Sequence, residues 1–411
     1  MIFVPFVYFS IFFALMWRKQ KSFNVGSIIT LFYIISSFFA ILIKTNNLWI
    51  FHFPEIKIIP TFLYCTLLTV SILPFYKFRS DKIKFITLQN SKVFIPISWI
   101  LIILSFISLA LTINDIKTSF TLSFGDIRNE FYQDTGSFQE FSGLPWYQYL
   151  INFAPSFSPV LLLFFFYSIV YMNNKKIFNI LLILASIVLS LNSITTAART
   201  QIIYWLFTFI AFYVCFNPQM TGAIKRKVKI LFTIIGFIGI VYIVSVTISR
   251  FGERDIGSKG SFISYAGQSF PQFCNVYNKY TFDELTFDRV LPISSKYIMR
   301  NKFTNTEYRE KQSMRIGAET GVFFTFLGDA MLDFGKVGMI FYTLIFYLIS
   351  TYALRRSNNF VISLSQMIIF TLLLRLPLLG LFAYVYTSIQ SSVLIIGSLI
   401  IAVLFKQYKL R

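Results

Sequence analysis

Apolar residues in this chain fall in long unbroken runs rather than in alternation with polar ones. Such runs lie near 1–17, 25–43, 58–76, 94–113, 147–171, 177–195, 201–216, 230–248, 338–354, 360–380 and 383–405. Each has about the length that an α-helix needs to cross ~30 Å of hydrocarbon at 1.5 Å per residue. Hydrocarbon offers no water to backbone N–H and C=O groups, so a spanning segment is either a helix or a strand of a closed barrel. Barrel strands alternate in polarity and these runs do not. The pattern therefore predicts an all-α polytopic membrane protein, one transmembrane domain over 1–411 with about eleven helices (ten to twelve).

The polar positions between the runs set the orientation. Basic residues follow every odd run: Arg18, Lys19 and Lys21 the first, Lys77, Arg79, Lys82 and Lys84 the third, Lys175 and Lys176 the fifth. Lys225, Arg226, Lys227 and Lys229 follow the seventh, Arg355 and Arg356 the ninth, and Lys406, Lys409 and Arg411 the last. Those short segments carry one acid, Asp81. Lys and Arg accumulate on the cytoplasmic side, so the N-terminus is predicted outside and the C-terminus in the cytoplasm. The opening MIFVPFVYFSIFFALMW has no cation ahead of its apolar core and is followed by RKQK, the reverse of a cleaved signal peptide, and it is read as a first span.

Two long segments are left on the outer side, 114–146 and 249–320. The first holds Asp115, Asp126, Glu130, Asp134 and Glu140 against Lys117 and Arg128. The second carries YNKYTFDELTFDRVLPISSKY in its middle, too aromatic for a disordered linker, and is expected to fold onto the bundle. No internal repeat of the kind that marks many transporters is present.

Composition adds a constraint on partners. The chain has 411 residues, 56% hydrophobic and 13% charged, with mean hydropathy +0.68 and a net charge of +20. The cytoplasmic clusters account for that excess, so nucleic acid is not expected as a partner and membrane lipid is. Cys65 and Cys215 lie in apolar runs and Cys274 in a loop, which gives neither a disulfide framework nor a CxxC metal site. There is no P-loop, no HExxH and no Ser/His motif, and His52, within LWIFHFPE, reads as interfacial packing. No cofactor or metal is expected.

Candidate chemistry gathers on the outer side. Arg199, in NSITTAARTQIIYW, opens the seventh span, and Arg375 lies inside the tenth just before Pro377. Asp329, Asp333 and Lys336 sit in LGDAMLDFGKVG, just ahead of the ninth. A charge at the bilayer centre costs roughly 2.5–3.5 kcal/mol, so such residues face a polar cavity or a partner. Snorkelling to headgroups is the alternative for any one of them, but it does not explain acids and cations at the same depth. Arginines in such a place suit a phosphate or pyrophosphate, because the guanidinium stays charged and grips oxyanions through paired hydrogen bonds. The outer loops add Arg128 and Tyr132 in FGDIRNEFYQD, Arg250, Glu253 and Arg254 in SRFGERD, and Arg309 and Arg315 in EYREKQSMRIGAETG. Asp329, Glu253 or Glu319 could accept a proton, Asp333 could hold an arginine in place, and Tyr132, Trp146 and Tyr147 could stack on sugar faces.

TTAART at the start of a span, DIRNEFY in the first loop and GDAMLDFGKVGMIF leading into a span resemble the Wzy-type O-antigen and oligosaccharide repeat-unit polymerases of bacterial envelopes, as does the architecture of ten to fourteen spans with two sizeable outer loops. The resemblance covers essentially the whole chain. It implies a glycosyltransferase of the bacterial inner membrane with its active site on the periplasmic face. Such an enzyme transfers glycan from one undecaprenyl-pyrophosphate carrier to the repeat unit on another, with a chain-length regulator protein as partner. By the same resemblance, Arg128 and one of Arg250, Arg254, Arg289 and Arg315 contact substrate, although the spaced Arg-to-Gly loop patterns of some members are not cleanly present. Two alternatives remain. An O-antigen ligase would share the architecture, but members resemble one another in a histidine in the late outer loop, and 249–320 has none. A flippase or exporter for the lipid-linked sugar would need polar groups across the whole membrane, whereas these lie on one side.

Overall fold

A computed structural model describes residues 1–49, 53–121, 124, 127, 153–172, 176–251, 257–281, 286–290, 305–321, 323–355, 360–382, 384–386 and 388–406. The chain folds as helices: α1 (Val4–Gln20), α2 (Val25–Thr45), α3 (Ile58–Phe78), α4 (Ser91–Thr121), α5 (Ser158–Tyr171), α6 (Lys176–Asn192), α7 (Thr200–Phe216) and α8 (Gly222–Phe251). These are followed by α9 (Gly257–Gly267), α10 (Ser269–Lys279), α11 (Asn305–Ile316), α12 (Thr325–Ala353), α13 (Leu364–Leu379) and α14 (Ile389–Phe405). Among the described residues, the strands β1 (Phe85–Thr87) and β2 (Val361–Ser363) form one short parallel pair, Ile86 opposite Ile362.

Eight helices, α2 to α8 and α12, are long and apolar enough to cross a membrane, α5 counted with the 3₁₀ turn that leads into it. Two of the remaining predicted spans coincide with the shorter apolar helices α13 and α14. The protein is thus a multi-pass, helical membrane protein. On α8, Ile234, Phe237, Ile238, Ile240 and Ile248 are all exposed, which is what a lipid-facing helix presents.

Two compact units divide the chain. The first comprises Met1–Arg79, Glu253–Arg355 and Leu373–Ser392. In it α2 starts at a capping box, Asn24 accepting from the Ser27 N–H at 3.0 Å, which satisfies an otherwise orphan amide. The segment expected to fold onto the bundle contributes α9, which packs along α2, and α10, which packs on α3 and α12. The close approach of α9 to α2 depends on Gly267: a Cβ there would lie 2.4 Å from the backbone N of Ala40, and Ser36 Oγ donates to the carbonyl of Ala266 at 2.8 Å beside it.

The ninth span was expected from residue 338 with Asp329 and Asp333 ahead of it. In the structure α12 already begins at Thr325 and both aspartates lie inside it, fully buried. The helix is broken at Gly335, whose φ of 73° and ψ of 177° belong to a region open essentially to glycine alone. Hydropathy marks only the lipid-exposed part after this kink, because the buried part before it carries the charges. Similarly α4 runs on to Thr121, past the point at 113 where its apolar run ends, since helical hydrogen bonding does not stop where side chains turn polar.

The second unit comprises Ser80–Gly252, Arg356–Leu372 and Val393–Arg411. Its centre is α5, buried from Ser158 to Ser168. Phe166 of α5 meets Phe209 and Phe216 of α7 at ring distances of 5.0 and 5.6 Å. α6 is tied to α4 by Asn192, which accepts from Thr112 Oγ1 at 2.9 Å and donates to Ser108 Oγ at 3.3 Å.

Candidate functional site

In the second unit the chain turns between α6 and α7 through a 3₁₀ turn, Ser193–Thr196, and Ala197 in the left-handed region at φ 47°. The hydroxyl of Ser193 stabilises this elbow by donating to the carbonyls of Ser190 at 2.7 Å and Ala198 at 3.2 Å. The elbow sets Arg199 at the N-cap of α7, in the interior: 5% of its surface is exposed. Its Nη1 donates to Thr247 Oγ1 of α8 at 2.6 Å, and that hydroxyl donates in turn to the carbonyl of Ile243. A cation at a helix N-terminus is opposed by the helix dipole, so this position is electropositive on two counts.

Two stretches that the sequence singled out meet the eighth helix here. Ala197 of TTAART, Val246 of α8 and Ile127, which precedes Arg128 in DIRNEFY, form one buried cluster, with Phe124 and Tyr242 packed against it. The rings of Phe124 and Tyr242 meet edge-on at 5.6 Å. Arg250 follows Thr247 by three residues on α8. Arg128 and Tyr132 lie outside the described residues, as do Glu253 and Arg254.

A different arrangement occupies the first unit. Arg289 is 1% exposed and forms a close ion pair through Nη2 with Asp329. The other Asp329 oxygen, Oδ2, accepts the backbone N–H of Tyr384 at 2.6 Å. Asp333, one helical turn along, accepts the N–H groups of Arg289 and Val290 at 2.9 and 2.7 Å and the Thr286 hydroxyl at 3.0 Å. Two aspartates on one face of α12 thus hold the 286–290 turn, one through its side chain and one through its backbone. Arg375, in α13, is buried with its guanidinium 5.6 Å from the ring centre of Tyr386, and Tyr386 meets Tyr384 at 5.8 Å. Asp329 was a candidate base. Here it neutralises a buried cation and is shielded from solvent, the placement of an anchoring group.

Glu319 is exposed on a turn that α10 fastens down: Gln272 Nε2 donates to its carbonyl and Lys279 Nζ to the carbonyl of Gly317 at 2.7 Å. Its own carboxylate accepts the Gly321 N–H at 2.7 Å. Arg315 is half-buried near the end of α11. Cys274 is buried in α10, where desolvation pushes its thiol pKa up and disfavours the thiolate. Among the described residues no cluster of His, Cys, Asp or Glu could hold a metal ion.

Thr247, Thr286, Tyr384 and Tyr386 were not foreseen. Thr247 carried a faint signal, a hydroxyl three residues before Arg250 in a span; the others lie in turns whose role depends on contacts distant in sequence. The chain shows no match to a known protein family, to a curated protein or to a solved structure.

Proposed function

We propose that this protein is a glycosyl-transferring polymerase of the bacterial inner membrane, joining undecaprenyl-pyrophosphate-linked repeat units into O-antigen or another surface polysaccharide on the periplasmic face. The observation that carries the proposal is Arg199: a buried guanidinium at a helix N-terminus, oriented by a neutral hydroxyl, on an elbow against which the start of the first long loop packs. A glycosyl transfer from a lipid pyrophosphate breaks the bond between the anomeric carbon and the pyrophosphate oxygen while an acceptor hydroxyl attacks that carbon. The departing oxygen gains negative charge, and fixed cations in a low-dielectric site lower the barrier to its departure. Arg199 fits that role, with Arg250 three residues after Thr247 and Arg128 one residue after Ile127 in the chain. The acceptor's proton must pass to a base. In this reading the base is a carboxylate other than Asp329, which is committed to Arg289. The donor bond already holds the energy for the reaction, which agrees with the missing nucleotide motif.

In this reading the N-terminus faces the periplasm, the basic clusters face the cytoplasm, and 114–146 and 249–320 stand over the outer side. The test is deletion of the gene in its host followed by gel separation of the surface glycan. Loss of the ladder with single repeat units still attached to lipid A core is the expected result. Lipid-linked polymer that never reaches lipid A would make the protein a ligase, and single units trapped on the cytoplasmic side would make it a flippase.

A further inference from the structure

Within the second unit, α7 and α8 touch closely at one end and part at the other. At the close end Gly239 of α8 lies against Ile202 of α7: a Cβ on it would come within 3.1 Å of the isoleucine Cγ2. Further along, Phe209 and Phe232 stack at 5.0 Å. Beyond the stacked rings, towards the 217–221 connection, the helices separate around a groove of about 320 Å³, lined by Phe209, Ile210, Tyr213, Val228, Lys229 and Phe232. That volume is at the small end of ligand sites, which run from ~300 to 1,000 Å³.

The groove has an apolar floor and a cationic rim. Lys229 is its one charged lining residue, and Lys225 and Arg226 stand four and three positions before it on α8, hence beside it on the helix surface. The first turn of α8 contains no acid. Around the groove α8 is exposed and apolar, with Ile230 and Ile234 at 52% and 56%, so this face belongs in lipid.

We infer that this groove binds an anionic phospholipid, one acyl chain lying between α7 and α8 against Phe209, Val228 and Phe232, and the headgroup phosphate held by Lys229 with Lys225 and Arg226. In a bilayer a gap between apolar helices is filled by a hydrocarbon chain, because a void forfeits dispersion contacts on its walls. Cations of one sign at the mouth select for net negative charge in the headgroup, and clusters of this kind at the end of a spanning helix attract anionic lipid. A zwitterionic headgroup would bring its own ammonium against three cations. A polyprenyl carrier is too long for a recess of this size. The site does not depend on the polymerase reading, since it requires only that the helices cross a membrane.

The experiment uses the full-length protein in nanodiscs with a phosphatidylglycerol that carries a photoreactive group on its acyl chain, followed by peptide mapping of the crosslinks. Labelling is expected at Phe209–Tyr213 and Val228–Phe232, competed by unlabelled phosphatidylglycerol and not by phosphatidylethanolamine. Lys229→Gln should lower it about fivefold and Lys229→Gln with Arg226→Gln about 25-fold, whereas Lys176→Gln should leave it unchanged. Val228→Phe, which fills the groove and keeps every charge, should abolish the same labelling. Uniform labelling along the exposed face of α8, equal competition by phosphatidylethanolamine, better competition by undecaprenyl phosphate, or an equal loss with Lys176→Gln would each overturn the proposal.

Discussion

Arg199 and Arg289 are both buried arginines in a protein of apolar helices, and the two units treat them differently. Arg289 is met by the carboxylate of Asp329, while Asp333 fixes the backbone on which it sits, so its charge is cancelled where it lies. Arg199 is oriented by Thr247, a hydroxyl that accepts a hydrogen bond from its guanidinium. Desolvating an ion costs several kcal/mol, and a protein recovers that through a counter-ion in its own chain or through one that a ligand brings. The first arrangement is that of a structural ion pair, and in the second a hydroxyl orients the guanidinium at the head of α7. The sequence, which puts one arginine at the start of a span and the other in an outer loop, does not reveal this difference.

The contrast can be broken from either side. Under the proposed function, Arg199→Ala should have the largest effect, lowering polymer formation by about 10²–10³ while the protein still inserts and accumulates, because one charge-stabilising donor would be lost from the transition state. Gel analysis of the glycan alongside immunoblotting of the membranes measures both halves, and normal chain lengths would remove Arg199 from the site. Asp329→Ala should instead strike folding, by about 3–5 kcal/mol, because it strands Arg289 in the interior. Thermal unfolding in detergent reads this, and the double change Arg289→Met with Asp329→Leu should recover most of it; failure to recover would mean that the pair has a role beyond its own neutrality. Asp333→Ala should cost less, about 1.5–3 kcal/mol, as the 286–290 turn loses a charged acceptor. Proteolysis of that turn should rise with no change in donor-lipid binding. Smallest of all, Thr247→Val should leave stability within about 1.5 kcal/mol and reduce, without abolishing, the glycan ladder, and Thr247→Ser should restore it. Should Thr247→Val match Arg199→Ala, orientation rather than charge would be the decisive property of the arginine.

Much of the architecture was legible because a membrane span is a local property. Run length and apolarity over some twenty residues decide whether a segment is stable in lipid, so helices stand where the apolar runs stand. The part of α12 before Gly335 was misjudged for the same reason: hydropathy reports contact with lipid, and Asp329 and Asp333 sit where the helix is enclosed by protein. At the candidate sites, residue types were legible and partnerships were not. Asp329 and Asp333 were placed just ahead of the apolar span, and nothing in the sequence joined them to Arg289.

By itself, then, the sequence determined a multi-pass helical membrane protein and the positions of its apolar helices, and it named arginines and carboxylates as candidates. These follow from the free energy of short segments in hydrocarbon, which neighbours in space hardly alter. Only the tertiary structure decided that Arg289 meets Asp329, that Arg199 meets Thr247, and that Ile127, Ala197 and Val246 meet at one elbow. Those contacts join residues 44 and 48 positions apart in the cases of Asp333 with Arg289 and Arg199 with Thr247. Such pairings cost chain entropy that no local pattern recovers, and only the packing of whole helices fixes them.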